Sequence, residues 1–270
     1  MPRCYSPPVA SMYRVWRKPL SAYVNYLWVA EGYVQPHAHE FVLPTASLTL
    51  VIDLDVEKAD AILICGARSR PLVLGTAKPL RLMAAVFKPG GGFPFAECPA
   101  GELQNLQVPL SAFWPSKTAD LREQLCEAPT NRERFRVLER FLMQRLRASR
   151  PYHPAVDYAI RQFQSGGAAS SVASVRDQLG MSAERFIEMF RKEVGLPPKL
   201  FTRLARFGRV LQRIDTAANV DWADLAVSTG YFDQPHFIRD FSQFAGVTPS
   251  AYLRDRTARN HVRIADLAGA

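Results

Sequence analysis

Between residues 234 and 243, Gln234, Ile238, Arg239, Ser242 and Gln243 are interleaved with Phe237 and Phe241, which recur at a spacing of four. On a helix the two phenylalanines turn inward together and leave the other five facing outward. That outward set has the chemistry of base edges. An arginine suits guanine N7 and O6, a glutamine suits adenine, and an isoleucine meets a thymine methyl. A second set has the same design: Glu184, Arg185, Ile187 and Glu188 surround Phe186, with Phe190 one turn on and Arg191 and Lys192 after it. Glu184 and Glu188 can accept only from cytosine N4 or orient a neighbouring arginine, so Arg185, Arg191 and Lys192 carry this set's attraction for a polyanion. Pro235 sits near a helix start, where proline is comfortable. His236 reads as a structural or capping residue.

Such side chains need rigid elements behind them. From Val172 to Gly195 the pattern is a short helix with Val172, Val175 and Leu179, a turn at Gly180-Met181-Ser182, and the helix carrying Phe186 and Phe190. From Trp222 to Gly246 it is a helix with Leu225 and Ala226, a turn at Gly230-Tyr231-Phe232-Asp233, and the helix carrying Phe237 and Phe241. Both are helix-turn-helix layouts, with Ser182 and Asp233 placed to cap the second helix. Between them Leu200, Leu204, Phe207, Leu211 and Ile214 form one apolar stripe, at spacings of four, three, four and three. Lys199, Arg203, Arg206, Arg209 and Arg213 form a basic stripe on a neighbouring face, expected to touch phosphates.

The run from Gly230 to Phe241, followed by Ala245-Gly246-Val247-Thr248-Pro249-Ser250-Ala251-Tyr252, resembles the signature of the AraC/XylS family of bacterial transcription regulators. Leu179 to Ser182, with Phe186, Phe190 and Gly195, is similar to that family's first reading unit. The resemblance covers about residues 154 to 255. It implies two recognition helices in successive major grooves on one face of the DNA, joined by a linker helix. Successive grooves lie ~34–36 Å apart, so one chain reads both only if the heads are held rigidly.

The remaining sequence bounds the rest. The chain has 270 residues, 48% hydrophobic and 22% charged, which is globular composition of two-domain length. Its net charge is +9, but residues 150–270 hold 16 Lys+Arg against 12 Asp+Glu, so the excess is not confined to the half with the reading units. Before Ala100, short apolar runs such as Leu48 to Ile52 and Ala61 to Ile64 alternate with Pro and Gly and read as strands. Leu121 and Leu125, then Phe135, Leu138, Phe141, Leu142 and Leu146, read as two helices. The expected fold is therefore an α+β N-terminal domain over 1–150, strand-rich and followed by two helices. An all-α C-terminal domain follows over 151–256, with two helix-turn-helix units joined by a linker helix, and then a tail over 257–270.

Leu43 to Ser47 leading into the strand, Gly66, and Val86 to Gly91 resemble the N-terminal domain of one branch of these regulators, implying sensing or dimerisation. His37, His39 and Glu40 resemble half of a cupin metal site, but Leu43 and Pro44 stand where its glutamate belongs and no third histidine follows Pro89-Gly90. No metal or cofactor is expected. Cys4, Cys65, Cys98 and Cys126 form no close pair, which fits a reducing cytosol, and no stretch has the length or flanks of a membrane span or export signal. No Gly-x-Ser-x-Gly elbow, Walker loop or Rossmann fingerprint occurs, so an enzyme is not expected. Double-stranded DNA is the expected partner. RNA polymerase and a small-molecule effector stay open as further partners, as do the monomer and homodimer as states. The rival readings are a metal or thiol activity in residues 1–150 fused to a DNA reader, and nonspecific nucleoid packing.

Overall fold

The computed structural model describes residues 10–13, 18–33, 39–56, 61–75, 80–148, 152–166, 171–216, 220–255 and 262–264. Its first half contains β1 (Ala10–Tyr13), β2 (Val24–Tyr33), β3 (His39–Val42), β4 (Thr49–Asp53), β5 (Ile62–Cys65), β6 (Leu72–Gly75), β7 (Leu80–Phe87) and β8 (Gln107–Pro109). One antiparallel sheet has the order β1-β2-β7-β4-β5-β8. Period-two alternation gives it two apolar faces. Leu27 pairs with Ala85 and Ala85 with Leu50, a row inside the main core. Trp28 pairs with Ala84 and Ala84 with Val51, a row in a smaller cluster with Tyr26 and Ala30. Both faces are packed, which is why these strands read as nearly continuous apolar runs rather than as alternating ones.

Helices α1 (Pro115–Glu127) and α2 (Asn131–Ala148) cover the main face. Their buried residues are Leu121, Leu125, Phe135, Leu138, Phe141, Leu142 and Leu146, the positions expected from spacing, and they share a core with Leu27, Val29, Leu50 and Ile52. Burying each such side chain contributes about 1.5–3 kcal/mol. The N-terminal half is thus strand-rich and followed by helices, and the C-terminal half is helical. Among the described residues the latter holds α3 (Pro154–Ser165), α4 (Val172–Gln178), α5 (Ala183–Val194), α6 (Pro198–Thr216), α7 (Trp222–Ser228), α8 (Gln234–Ala245) and α9 (Pro249–Asp255). Within the stretch read as a tail, β9 (Val262–Ile264) pairs antiparallel with β3, Arg263 opposite Phe41, in a three-stranded sheet ordered β6-β3-β9. A three-residue strand whose partner lies more than two hundred residues away leaves no local periodicity to read.

The halves meet through α5, which lies on the short 3₁₀ turn Ala100–Leu103. A Cβ on Gly101 would fall 2.8 Å from Arg191 Cγ and 3.1 Å from the Arg191 carbonyl oxygen, so any larger residue would force Arg191 to shift. Tyr23 and Tyr152 meet edge to face with ring centroids 5.8 Å apart. No described helix is long and apolar enough to cross a membrane.

Candidate nucleic-acid interface

Each reading unit is built on aromatic packing and finished by a side-chain cap. In the first, Phe186 and Phe190 are fully buried with Val175, Phe163 and Phe201. Ser171 accepts from the Ser174 N–H at 3.0 Å to start α4, and Ser182 accepts from the Arg185 N–H at 3.3 Å to start α5. In the second, Phe237 and Phe241 are buried and their rings pack at 5.8 Å. Asp221 accepts from the Ala223 and Asp224 N–H groups at 2.9 and 3.1 Å, and Asp233 accepts from His236 N–H at 2.7 Å. Gly195 and Gly246 end the two reading helices in the left-handed conformation, at φ 94° and 73°.

This packing fixes which side chains turn outward. On α8, Gln234, Ile238, Arg239 and Gln243 are exposed and Ser242 is half-buried. Gln243 is also an acceptor for Arg203. On α5, Glu184, Arg185, Ile187 and Glu188 are exposed, as are Arg191 and Lys192. His236 is structural: its ring stands edge-on to Tyr231 at 5.4 Å, and its Nε2 lies 3.9 Å from Asp240.

The linker helix differs from its sequence reading in two ways. Its buried stripe runs through Phe201, Leu204, Phe207, Val210 and Ile214, whereas Leu200 and Leu211 are only partly buried. Phe201 belongs to the first unit's core and Phe207 to the second's, packing on Phe241 at 5.2 Å, so one helix carries a piece of each. The second difference concerns the basic stripe. Arg206 donates to the Gly230 carbonyl at 3.1 Å with its guanidinium over the Tyr231 ring, and Arg213 donates to Ser228. Arg209 donates to the Phe163 and Gln164 carbonyls at 3.4 and 3.3 Å and to the Thr229 carbonyl at 3.2 Å. These are the carbonyls that the ends of α3 and α7 leave without helical partners, at the negative end of each helix dipole. Arg203 is paired with Asp240 of α8. Of the cations expected from sequence to meet the polyanion, Arg191, Lys192 and Lys199 are exposed, and Arg203, Arg206, Arg209 and Arg213 are occupied with protein acceptors.

Sequence reasoning passed over Phe232, which is 88% exposed, and Asp240 and Glu193, which are both buried. For Phe232 a signal existed: Gly180 precedes Phe186 by six residues, but Gly230 precedes Phe237 by seven. Asp240 and Glu193 carry no comparable local mark.

Cys4 lies outside the described residues, and two of the described thiols are shifted away from the thiolate form. Burial pushes Cys65 up to about 11, and burial followed by the charge of Glu102 raises Cys98. Among the described residues no three His, Cys, Asp or Glu side chains gather as a metal site. His37 lies outside the described residues, and His39 and Glu40 enter as backbone partners of Gly75 and Leu74.

Two capped units on one helix define a double helix-turn-helix DNA-binding domain. Residues 176–255 match the family model of a helix-turn-helix domain, and residues 17–109 match that of a domain of unknown function (DUF6597). With the signature from Gly230 to Tyr252, the C-terminal domain is of the AraC/XylS type. No curated protein matches the chain. Among solved structures it is similar to ToxT from Vibrio cholerae, at 12% identity over 91% of this chain and 97% of that one with a TM-score of 0.41. It is also similar to the xylose-binding transcription activator xylR, at 19% identity over 37% of this chain and 25% of that one with a TM-score of 0.30.

Proposed function

We propose that the chain is a sequence-specific transcription regulator acting on promoter DNA, in which the N-terminal domain makes engagement conditional. The observation that carries this reading is the shared linker: Phe201 lies in the core of the first unit, and Phe207 with Arg206, Arg209 and Arg213 holds the second. Two readers on one rigid rod suit two successive grooves. Gln234, Ile238, Arg239, Ser242 and Gln243 read bases from α8. On α5, Glu184, Arg185, Ile187 and Glu188 face bases, while Arg191, Lys192 and Lys199 meet phosphates. Arg203, Arg206 and Arg209 orient the second reader and contribute little to phosphate contact.

A small effector has a place in this scheme. A cavity of about 800 Å³ between the Leu20–Ala22 turn and α2 is lined by Lys18, Arg136 and Arg140 beside Leu20, Glu139 and Met143, which suits an organic anion. Genome-wide DNA binding of the wild type and of Arg239→Ala tests the reading. Sharp sites sharing one motif and lost in the variant are the expected result. Equal affinity for those sites and random DNA would instead make the protein a packing factor.

A further inference from the structure

Among the described residues Phe232 is the most exposed of the large apolar side chains, at 88%, yet it sits in a fixed part of the second unit. Its neighbours on both sides are tied down. Tyr231 is buried, with its ring 5.4 Å from that of Phe237 and edge-on to His236. Asp233 holds the His236 N–H at 2.7 Å as the cap of α8. An apolar residue just before an N-cap ordinarily packs on the fourth helical residue, here Phe237. Tyr231 makes that contact instead, so Phe232 is left with no packing role. The residue is also the one by which this turn exceeds its counterpart after Gly180. It stands two residues ahead of exposed Gln234, at the N-terminal end of the reading helix, the end that meets base edges in helix-turn-helix units.

We propose that Phe232 is a specificity-determining residue that packs against the methyl group of one thymine in the major groove. A phenyl ring has no donor or acceptor to offer a base, and the thymine C5-methyl is the apolar feature of that groove. The proposal rests on the reading of α8 as a base reader. Ile238, exposed on the same helix, suits the same kind of partner further along the groove.

The test uses the full chain and an operator selected from random duplexes, in which each thymine is replaced in turn by uracil, removing only the methyl. Wild type is expected to lose about fourfold in affinity at one thymine, the value of one buried methyl. Phe232→Ala is expected to bind the thymine and uracil duplexes equally, at the weakened level, and Phe232→Leu to retain part of the difference. Unchanged thermal unfolding of both variants would show that they fold. A sharp operator at which no replacement separates wild type from Phe232→Ala would overturn the proposal. So would wild-type DNA binding by Phe232→Ala with lost transcription, which would assign the ring to a protein partner. Failure to select any operator would overturn the base-reading assignment itself, and this inference with it.

Discussion

Asp240 on α8 holds the Arg203 guanidinium on α6 from two nitrogens, with Oδ1 lying 3.1 Å from Nε and 2.7 Å from Nη2. The carboxylate is 5% exposed, so the pair works where water screens it poorly. Removing Asp240 leaves a guanidinium facing a protein surface with its main acceptor gone. Asp240→Ala is expected to cost about 2–3 kcal/mol in urea unfolding. The double variant Arg203→Met with Asp240→Leu should recover most of that loss. A coupling energy below ~0.5 kcal/mol would reduce the pair to an ordinary surface contact.

The salt dependence of DNA binding separates the two groups of cations. Lys199→Gln and Lys192→Gln should each lower the slope of log K against log salt by about 1, as loss of a phosphate contact does. Arg209→Gln should leave the slope unchanged and lower the unfolding temperature, because its bonds go to Phe163, Gln164 and Thr229. A fallen slope in Arg209→Gln would return that residue to the phosphate set.

Base reading by α8 predicts loss at one position rather than everywhere. Arg239→Ala is expected to cost about 1–3 kcal/mol on the selected operator and to relax selectivity at a single base pair. Uniform weakening across all sequences would place Arg239 on the backbone.

Glu193 supplies a pH test. Burial is the main cause that raises its carboxyl, against the opposing bond from the His153 N–H at 2.7 Å. A folded-state value above the unfolded one means that the native chain binds the proton more tightly, so stability falls as pH rises through that window. Glu193→Gln keeps an acceptor for His153 and removes the buried charge. Its unfolding temperature should exceed that of wild type by roughly 2–4 °C at pH 7, and the two should converge below the ordinary carboxylate range near pH 4. A difference that persists at low pH would point to packing instead.

Thiol labelling tests the burial of Cys65 in β5. With Cys65 raised to about 11, roughly one thiol in a thousand is ionised at pH 8. Maleimide should reach exposed Cys126 at least ~100-fold faster than Cys65, read by peptide mass. Comparable rates would mean that β5 opens readily.

The parts of the molecule legible in the sequence are those governed by local period. Phe186 and Phe190, and Phe237 and Phe241, sit four apart on amphipathic helices and could point only inward. Leu121 to Leu146 followed the same rule in α1 and α2. Composition and face did not reveal the role of the α6 arginines, because their acceptors, main-chain carbonyls for Arg206 and Arg209 and the Asp240 and Ser228 side chains for Arg203 and Arg213, lie at positions distant in sequence. The choice between Leu200 and Phe201, or Leu211 and Val210, depended on two cores meeting the helix from different sides, and a single-stripe reading averages over that. Strand β9 is fixed wholly by its partner β3.

The turn that carries Phe232 is one residue longer than the turn after Gly180. The two readers are therefore not copies, and one is seated on the Ala100–Leu103 turn while the other hangs from α6. Such a chain has a front and a back along the duplex. On the function proposed above, its target would be two unlike half-sites in a fixed order rather than an inverted repeat. Reversing that order without changing a single base of either half would present each groove with the wrong helix, so a bound molecule points along the chromosome in one direction only.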